Sequence, residues 1–189
     1  MTAHALMFVD KPTFYRFVAK AENRYRYEYV RGWIMQQQAG GTLNHAQFGR
    51  RFASILERQL DPDVWVVTGS DRGIDTGETV RYADALVERA GAPGDSLSTM
   101  APVIVVEVLS PSSEERDLSA KPAEYLSLST LQAYIVASQD EPLCYVWLRG
   151  ADGAFTAAPF VVKGRDQTIQ IPALSVAIPL AEVYRGINE

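Results

Sequence analysis

The sequence is poor in the side chains that bind zinc or form disulfides. It has one cysteine, Cys144, and two histidines, His4 and His45. A lone cysteine excludes a disulfide within the chain and is typical of a protein from a reducing cytoplasm. A structural zinc ion takes about four ligands, mostly cysteine and histidine, so this composition excludes a Cys/His zinc site.

Long hydrophobic runs are also missing. No apolar run approaches the ~20 residues that a membrane-spanning helix needs. The start, MTAHALMFVDK, lacks the basic region followed by an apolar one that marks a secretory signal. Hydrophobic residues make up 47% of the 189 residues and charged ones 22%, as in globular proteins. We therefore expect a cytoplasmic protein that folds as a single domain over residues 1–189.

The chain has no excess of positive charge. Its 18 lysines and arginines against 23 acidic residues give a net charge of −5. Proteins that coat nucleic acid without regard to sequence are usually basic, so this balance argues against that class and leaves room for a local basic groove. Three common motifs are absent as well: the phosphate loop G-x-x-x-x-G-K-[ST], the dinucleotide fingerprint G-x-G-x-x-G and the nucleophile elbow G-x-S-x-G.

Hydrophobic periodicity predicts helices and strands in a mixed order. The predicted helices are residues 11–23, 42–60, a segment that ends at about residue 128, and a short one in the tail. The predicted strands are 25–30, 33–37, 64–68, 80–88, 103–109, 133–137, 143–148, 155–162 and a short one in the tail. This order predicts an α/β or α+β fold. The nearly continuous apolar pattern of 103–109 is typical of a central strand.

Two isolated acids lie in apolar strands. Glu107 is the one charge in VIVVEVL, and Asp84 stands 107 − 84 = 23 residues earlier in VRYADALVE. A buried carboxylate is costly unless it is paired or binds a cation. If the strands are neighbours, the two carboxylates suit Mg²⁺ or Mn²⁺, which polarise a phosphate and activate water for phosphodiester hydrolysis. The alternatives for Glu107 are a salt bridge or an exposed strand face.

Three further side chains are candidates for the same chemistry. Lys121 follows Glu107 by 121 − 107 = 14 residues and can stabilise developing negative charge, although a lone lysine is more often solvated. Glu28 lies in an aromatic strand, where it is either a ligand or the partner of Arg26 or Arg31. His45 lies on the apolar face of the long helix, where a histidine is more often a core group than a ligand.

The segments that carry these residues resemble the Uma family of restriction-endonuclease-like proteins, which belongs to the PD-(D/E)XK superfamily. The resembling stretches are YEYVRGWI, His45, RYADALVE, APVIVVEVLSPSSEERDLSAKPAEY and TIQIPALSVAIPLAEVY. The resemblance covers residues 12–186, and its most specific part is 105–125.

The resemblance implies a mixed central sheet flanked by helices, with additional hairpins, and a Mg²⁺-dependent nuclease site. Asp84 would be the motif's aspartate and Glu107 its glutamate, both holding the metal. Glu28 matches the family's early glutamate and His45 its helix histidine. The implied substrate is nucleic acid, with DNA the first expectation.

The chain departs from the superfamily pattern in three places. The lysine expected two residues after the glutamate is Leu109, and the resemblance implies that Lys121 replaces it. The proline expected before the aspartate is Ala83. Pro122 follows Lys121 directly, and because proline fits only the first turn of a helix, we expect the helix to start near Ser119 or to kink there.

Three functions remain open at this level. The leading one is a metal-dependent endonuclease, and the second is a catalytically inactive nuclease fold that binds DNA or a protein partner. In the third, Asp84 and Glu107 merely pair with Arg81 or Arg116 inside a structural domain. Exposed sheet edges also predict a homodimer.

Overall fold

The computed structural model describes residues 4–21, 25–38, 42–109 and 116–186, with the backbone alone for 37, 38, 116 and 117. The strands, in chain order, are β1 (His4–Phe8), β2 (Tyr25–Val30), β3 (Trp33–Gln38), β4 (Trp65–Thr68), β5 (Gly73–Asp75), β6 (Thr79–Tyr82), β7 (Ala85–Arg89), β8 (Ser98–Thr99), β9 (Pro102–Val108), β10 (Ala133–Ala137), β11 (Leu143–Leu148), β12 (Phe160–Lys163), β13 (Thr168–Ile171) and β14 (Val176–Pro179). The helices are α1 (Lys11–Val18), α2 (Leu43–Glu57), α3 (Lys121–Tyr125) and α4 (Leu180–Val183).

Within the described ranges, the strands form two six-stranded sheets and one hairpin. The first sheet has the order β1-β3-β2-β6-β5-β8, the central sheet has the order β12-β11-β10-β9-β7-β4, and β13 pairs with β14. In the central sheet β9 runs parallel to β10 and antiparallel to β7. The predicted mixed α/β class, with a mixed sheet, flanking helices and extra hairpins, is confirmed.

Strand β9 lies in the middle of the central sheet and all of its residues are buried, as its apolar pattern predicts. Ile104, Val106 and Val108 belong to the core cluster that contains α2 and the β13–β14 hairpin. Val105 belongs to a second cluster, which includes Ile74 of the first sheet and Tyr125 of α3. Because side chains alternate along a strand, Glu107 shares the face of Val105 and points toward the first sheet and α3.

Helix α2 begins where the sequence predicts and ends slightly earlier. Thr42 caps it, since its hydroxyl oxygen accepts the His45 N–H at 3.2 Å. Phe48, Phe52 and Leu56 form the buried stripe that packs on the central sheet. Within the described part of the chain, no helix is long and apolar enough to cross a membrane.

The predicted strand 80–88 is wrong as a single element. The chain leaves the first sheet after Tyr82 and enters the central sheet at Ala85. Both halves are largely buried and each contains a charged residue, Arg81 in the first and Glu88 in the second, so residue type does not reveal the change of sheet. The turn between them carries Asp84.

Other differences concern short elements. Strands β1, β5, β8 and β14 were not predicted, and the helix predicted over 11–23 ends at Val18. Strands of two to five residues show too few alternations to stand out from loops. The short C-terminal helix is confirmed as α4, and the predicted strand 155–162 reduces to β12 plus an isolated bridge between Phe155 and Arg149.

Gly49 of α2 allows the helix to approach the turn between the sheets. A Cβ at Gly49 would lie 3.1 Å from the Asp84 carbonyl oxygen and 3.3 Å from the Asp84 Cβ. These separations are shorter than ordinary van der Waals contact, so a side chain there would displace the turn.

We expect Gly49→Val to lower the free energy of unfolding by about 1–3 kcal/mol, because an overpacked core costs more than valine's better helix propensity returns. Chemical denaturation measures this change. Arg50→Val, at the next and exposed position of α2, is the matched control and should cost about 0.5 kcal/mol or less. Equal stability of the two variants would contradict the close approach.

Candidate metal-binding and catalytic site

Strand register brings Asp84 and Glu107 together. In the antiparallel pair β7–β9, Ala85 lies opposite Val106. The Asp84 N–H donates to the Val106 carbonyl oxygen at 3.0 Å, and the Asp84 side chain accepts the Val108 N–H. These two hydrogen bonds reach β9 on either side of Glu107, so Asp84 lies against the part of β9 that contains Glu107.

The Asp84 carboxylate faces His45. Asp84 Oδ2 accepts the Val108 N–H at 2.7 Å and lies 3.5 Å from His45 Nε2. The same histidine nitrogen is 3.1 Å from the Val108 carbonyl oxygen, so a carboxylate oxygen and a carbonyl oxygen converge on one point. Helix α2 contributes His45 three residues after its cap, at the end nearest this turn.

Burial raises the pKa of the Asp84 carboxyl above its ordinary value. His45, the Val108 N–H and the Lys121 ammonium act in the opposite direction by stabilising the charged form. Any further positive charge placed beside the Asp84 carboxyl would stabilise its ionised form. The local electrostatics therefore favour a cation at Asp84.

Helix α3 supplies the partners of Glu107. Lys121 Nζ donates to Glu107 Oε1 at 2.7 Å, and the Tyr125 hydroxyl lies 3.3 Å from the same oxygen. The side chains of Lys121 and Glu107 are only 4% and 5% exposed, so the pair lies inside the protein. Lys121 and Tyr125 are four residues apart and share one face of the helix.

Pro122 does not prevent this arrangement. A turn of π-helix spans Arg116–Ala120, and α3 begins directly after it at Lys121. Pro122 is the second residue of α3, directly after the π-helical turn, and its missing N–H leaves one carbonyl of that turn without a helical donor. The α-helical part begins at Lys121 rather than near Ser119, and the Lys121 side chain points toward Glu107.

Glu28 is paired with an arginine that the sequence did not suggest for it. Arg81 Nη1 donates to Glu28 at 2.8 Å, whereas Arg26 and Arg31 were the expected partners. Arg81 also donates to both oxygens of Glu124, at 2.9 and 2.8 Å. Burial opposes the charged form of Glu124, yet Arg81 and the Thr79 hydroxyl hold its pKa below the ordinary value.

The buried triad of Glu28, Arg81 and Glu124 links β2 and β6 to α3. Glu124 is three residues after Lys121 on the same short helix. Sequence reasoning missed Glu124 and Tyr125, and it considered Arg81 only as a partner of Asp84 or Glu107. Spacing in KPAEY offered a signal, because a lysine, an acid and a tyrosine at i, i+3 and i+4 lie side by side on a helix.

The arrangement differs from a domain in which Asp84 and Glu107 lie apart and bind arginines. Asp84 is hydrogen-bonded to β9 on either side of Glu107, and Arg81 donates to Glu28 and Glu124 instead. The side chain of Arg116 lies outside the described residues.

The donor set fits a hard divalent cation. Where β7 begins and β9 ends, Asp84 and Glu107 would supply carboxylate oxygens and Val108 a carbonyl oxygen. Mg²⁺ and Mn²⁺ prefer such oxygen ligands and keep several waters. In the part of the chain that the structure describes, no group of three or more His, Cys, Asp or Glu side chains forms a metal cage. A cation here would therefore depend on these two acids, water and substrate.

The sequence is similar to a known family and to a protein of another organism. Residues 12–181 match the family Uma2, which is described as "Putative restriction endonuclease". An uncharacterized protein of Synechocystis sp. is 27% identical over 167 residues, which cover 87% of this chain and 86% of that protein.

A solved structure shares the fold. It is the crystal structure of a nuclease from Anabaena variabilis, described as putative and as belonging to DUF820. The match has a TM-score of 0.70 and 15% identity, and it covers 89% of this chain and 94% of that one. At this identity the match shows a common fold.

We expect Arg81→Met to lower the free energy of unfolding by about 3–5 kcal/mol, because Glu28 and Glu124 would be left buried without their cation. Denaturant unfolding measures the loss. Arg31→Met is the matched control, since the Arg31–Glu78 pair is 73% and 74% exposed and should cost about 1 kcal/mol or less. Similar losses in both variants would show that the triad is not a buried ion network.

Proposed function

Since this chain belongs to the Uma2 family, we propose that it is a metal-dependent nuclease that hydrolyses phosphodiester bonds in nucleic acid, with DNA as the substrate. The observation that carries the proposal is that Asp84 is hydrogen-bonded to β9 on either side of Glu107, with Lys121 against Glu107 at 2.7 Å. Two acids at the ends of neighbouring strands, with a lysine beside them, are suited to phosphoryl chemistry.

Asp84 and Glu107 would hold Mg²⁺ or Mn²⁺. Such an ion, when bound, polarises the phosphate and lowers the pKa of water for attack on phosphorus. The Val108 carbonyl oxygen offers a further ligand beside Asp84, because both of these oxygens lie within 3.5 Å of His45 Nε2.

Lys121 has the position of an electrostatic catalyst. Its ammonium group is buried and donates to Glu107, so it can also donate to a phosphate oxygen as negative charge develops there. The Tyr125 hydroxyl lies 3.3 Å from the same Glu107 oxygen and restrains that carboxylate. His45 lies between Asp84 and the Val108 carbonyl and orients this side of the site.

Glu28 acts indirectly in this proposal. Its carboxylate pairs with Arg81, and Arg81 also pairs with Glu124 on the helix that carries Lys121. Glu28 is therefore a positioning residue rather than a metal ligand. It keeps α3 against the first sheet and so keeps Lys121 on Glu107.

A catalytically inactive module that binds DNA or a protein partner is the second candidate. The buried ion pair of Glu107 with Lys121 favours it, because this pair compensates the Glu107 charge without any metal ion. Metal binding and cleavage separate the two candidates.

We expect the parent protein to bind Mn²⁺ in a calorimetric titration and to nick plasmid DNA in its presence. Asp84→Asn/Glu107→Gln should abolish both, since the amides keep the shape of the side chains and remove the ligand charges. Asp95→Asn/Glu141→Gln is the matched control, because it removes two exposed acids.

Circular dichroism verifies that each variant is folded. Cleavage at the parent rate by Asp84→Asn/Glu107→Gln would refute the site assignment. Nucleic-acid binding without cleavage, by a parent protein that takes up no Mn²⁺, would support the inactive module.

The homodimer remains part of this proposal, with β1 as its interface. This strand is the edge of the first sheet, and all five of its residues are exposed. Leu6, Met7 and Phe8 are 44%, 45% and 67% exposed, and the Phe8 ring contacts the half-exposed Trp33 at 5.4 Å. An apolar edge strand without charge is a template for antiparallel pairing with a second copy.

We expect light scattering at micromolar concentration to give twice the chain mass for the parent and the chain mass for Met7→Lys. The lysine would place like charges together across a twofold axis. Val161→Lys tests the edge strand β12 of the central sheet, where Val161 is 60% exposed, and should leave the dimer intact. A monomeric parent would refute the dimer, and loss of the dimer only in Val161→Lys would move the interface to β12.

A further inference from the structure

Arg26 lies at the border of the candidate site on the side of the first sheet. It precedes Glu28 by two residues on β2, so both side chains project from the same face of the strand. Its guanidinium carbon lies 5.7 Å from the centre of the Tyr82 ring. Tyr82 is the last residue of β6, two residues before Asp84. Arg26 therefore lies beside the turn that carries the candidate metal ligand.

No carboxylate in the described part of the chain pairs with Arg26. Arg72 and Arg81 each donate at least two hydrogen bonds to carboxylates. Arg26, in contrast, makes neither a hydrogen bond nor an ion pair with any described residue, and its side chain is partly exposed. In a chain with a net charge of −5, an arginine beside the Asp84 turn that has no carboxylate partner among the described residues is a distinctive feature.

The Tyr82 ring restricts the position of the Arg26 guanidinium. A guanidinium over an aromatic face gains cation–π attraction and loses little of its ability to donate hydrogen bonds from its edge. Arg26 influences Asp84 through space, because its charge is one of those that favour the ionised form of that carboxyl. The group is thus close enough to act in the site and free to bind an anion.

We propose that Arg26, held over Tyr82, contacts a backbone phosphate of the nucleic acid next to the bond that is cleaved. This inference rests on the proposed nuclease function. A guanidinium presents parallel N–H donors that match two oxygens of one phosphate, and phosphate contacts position a substrate without reading its sequence. Arg26 would thereby offset the repulsion between the substrate and the acids Asp84 and Glu107.

The test is the salt dependence of binding of a fluorescein-labelled 20-base-pair DNA duplex, measured by anisotropy in EDTA so that no cleavage occurs. Arg26→Gln should weaken binding about tenfold, as expected for one charge-assisted hydrogen-bonded contact. It should also reduce, by about 0.9, the slope of the logarithm of the DNA-binding constant against the logarithm of the salt concentration. Arg26→Lys should keep the parent slope, because it keeps the charge, and should lose part of the affinity.

Arg89→Gln is the matched control. Arg89 is exposed at the opposite end of β7 from Asp84, so its loss removes one positive charge far from the site and should leave affinity and slope near the parent values. Thermal melts establish that each variant is folded.

The outcomes separate this inference from the proposed function. If the parent binds and cleaves DNA while Arg26→Gln keeps the parent slope and affinity, the phosphate contact is refuted and the nuclease stands. If the parent neither binds nor cleaves nucleic acid, the nuclease proposal fails and the phosphate contact fails with it. A residue that only balanced the charge of Asp84 would leave the slope unchanged.

Discussion

The antiparallel pairing of β7 with β9 is the constraint on which the site depends. Hydrogen bonds hold Asp84 against β9 on either side of Glu107, since the Asp84 N–H donates to the Val106 carbonyl oxygen and the Asp84 side chain accepts the Val108 N–H. Glu107 is buried, where a carboxylate needs a compensating charge, and Lys121 supplies it. Asp84 lies 3.5 Å from His45 Nε2. The elements that pack on the two faces of the central sheet supply these partners. The hydrophobic packing of α2 and α3 therefore builds the core and also positions His45 and Lys121 beside the two acids.

Charge compensation extends beyond the site into the scaffold. Arg81 lies between Glu28 and Glu124 and connects the first sheet to the short helix that carries Lys121. A five-residue helix has little stability of its own, so its position depends on such tertiary contacts. The position of one catalytic candidate thus rests on a buried ion network. Arg26, on the same strand as Glu28, extends this positive charge toward the surface where a substrate would enter.

Much of the site was predictable from local pattern. A charge in an otherwise apolar strand is conspicuous, and it identified Asp84 and Glu107 before any strand pairing was known. The partner of Glu28 was not predictable, because Arg81 is 53 residues away in sequence and nearer arginines were equally plausible. The break in the segment 80–88 was also hidden, since two buried strands that follow closely in sequence are read as one strand whichever sheets they belong to. Tyr125 and Glu124 were recognisable only once α3 was known to lie against Glu107.

The amino-acid pattern alone predicts the mixed α/β class, the central strand β9 and the helix α2, because burial imposes periodic apolar patterns that can be read locally. It also identified Glu107 as a buried acid, whereas it did not identify the buried acids Asp75 and Glu88. The opposite charge that meets each acid, the sheet to which each strand belongs and the direction of Lys121 became evident from the three-dimensional structure. Ion pairing and register depend on positions in space between residues distant in the chain, and local periodicity contains no information about them.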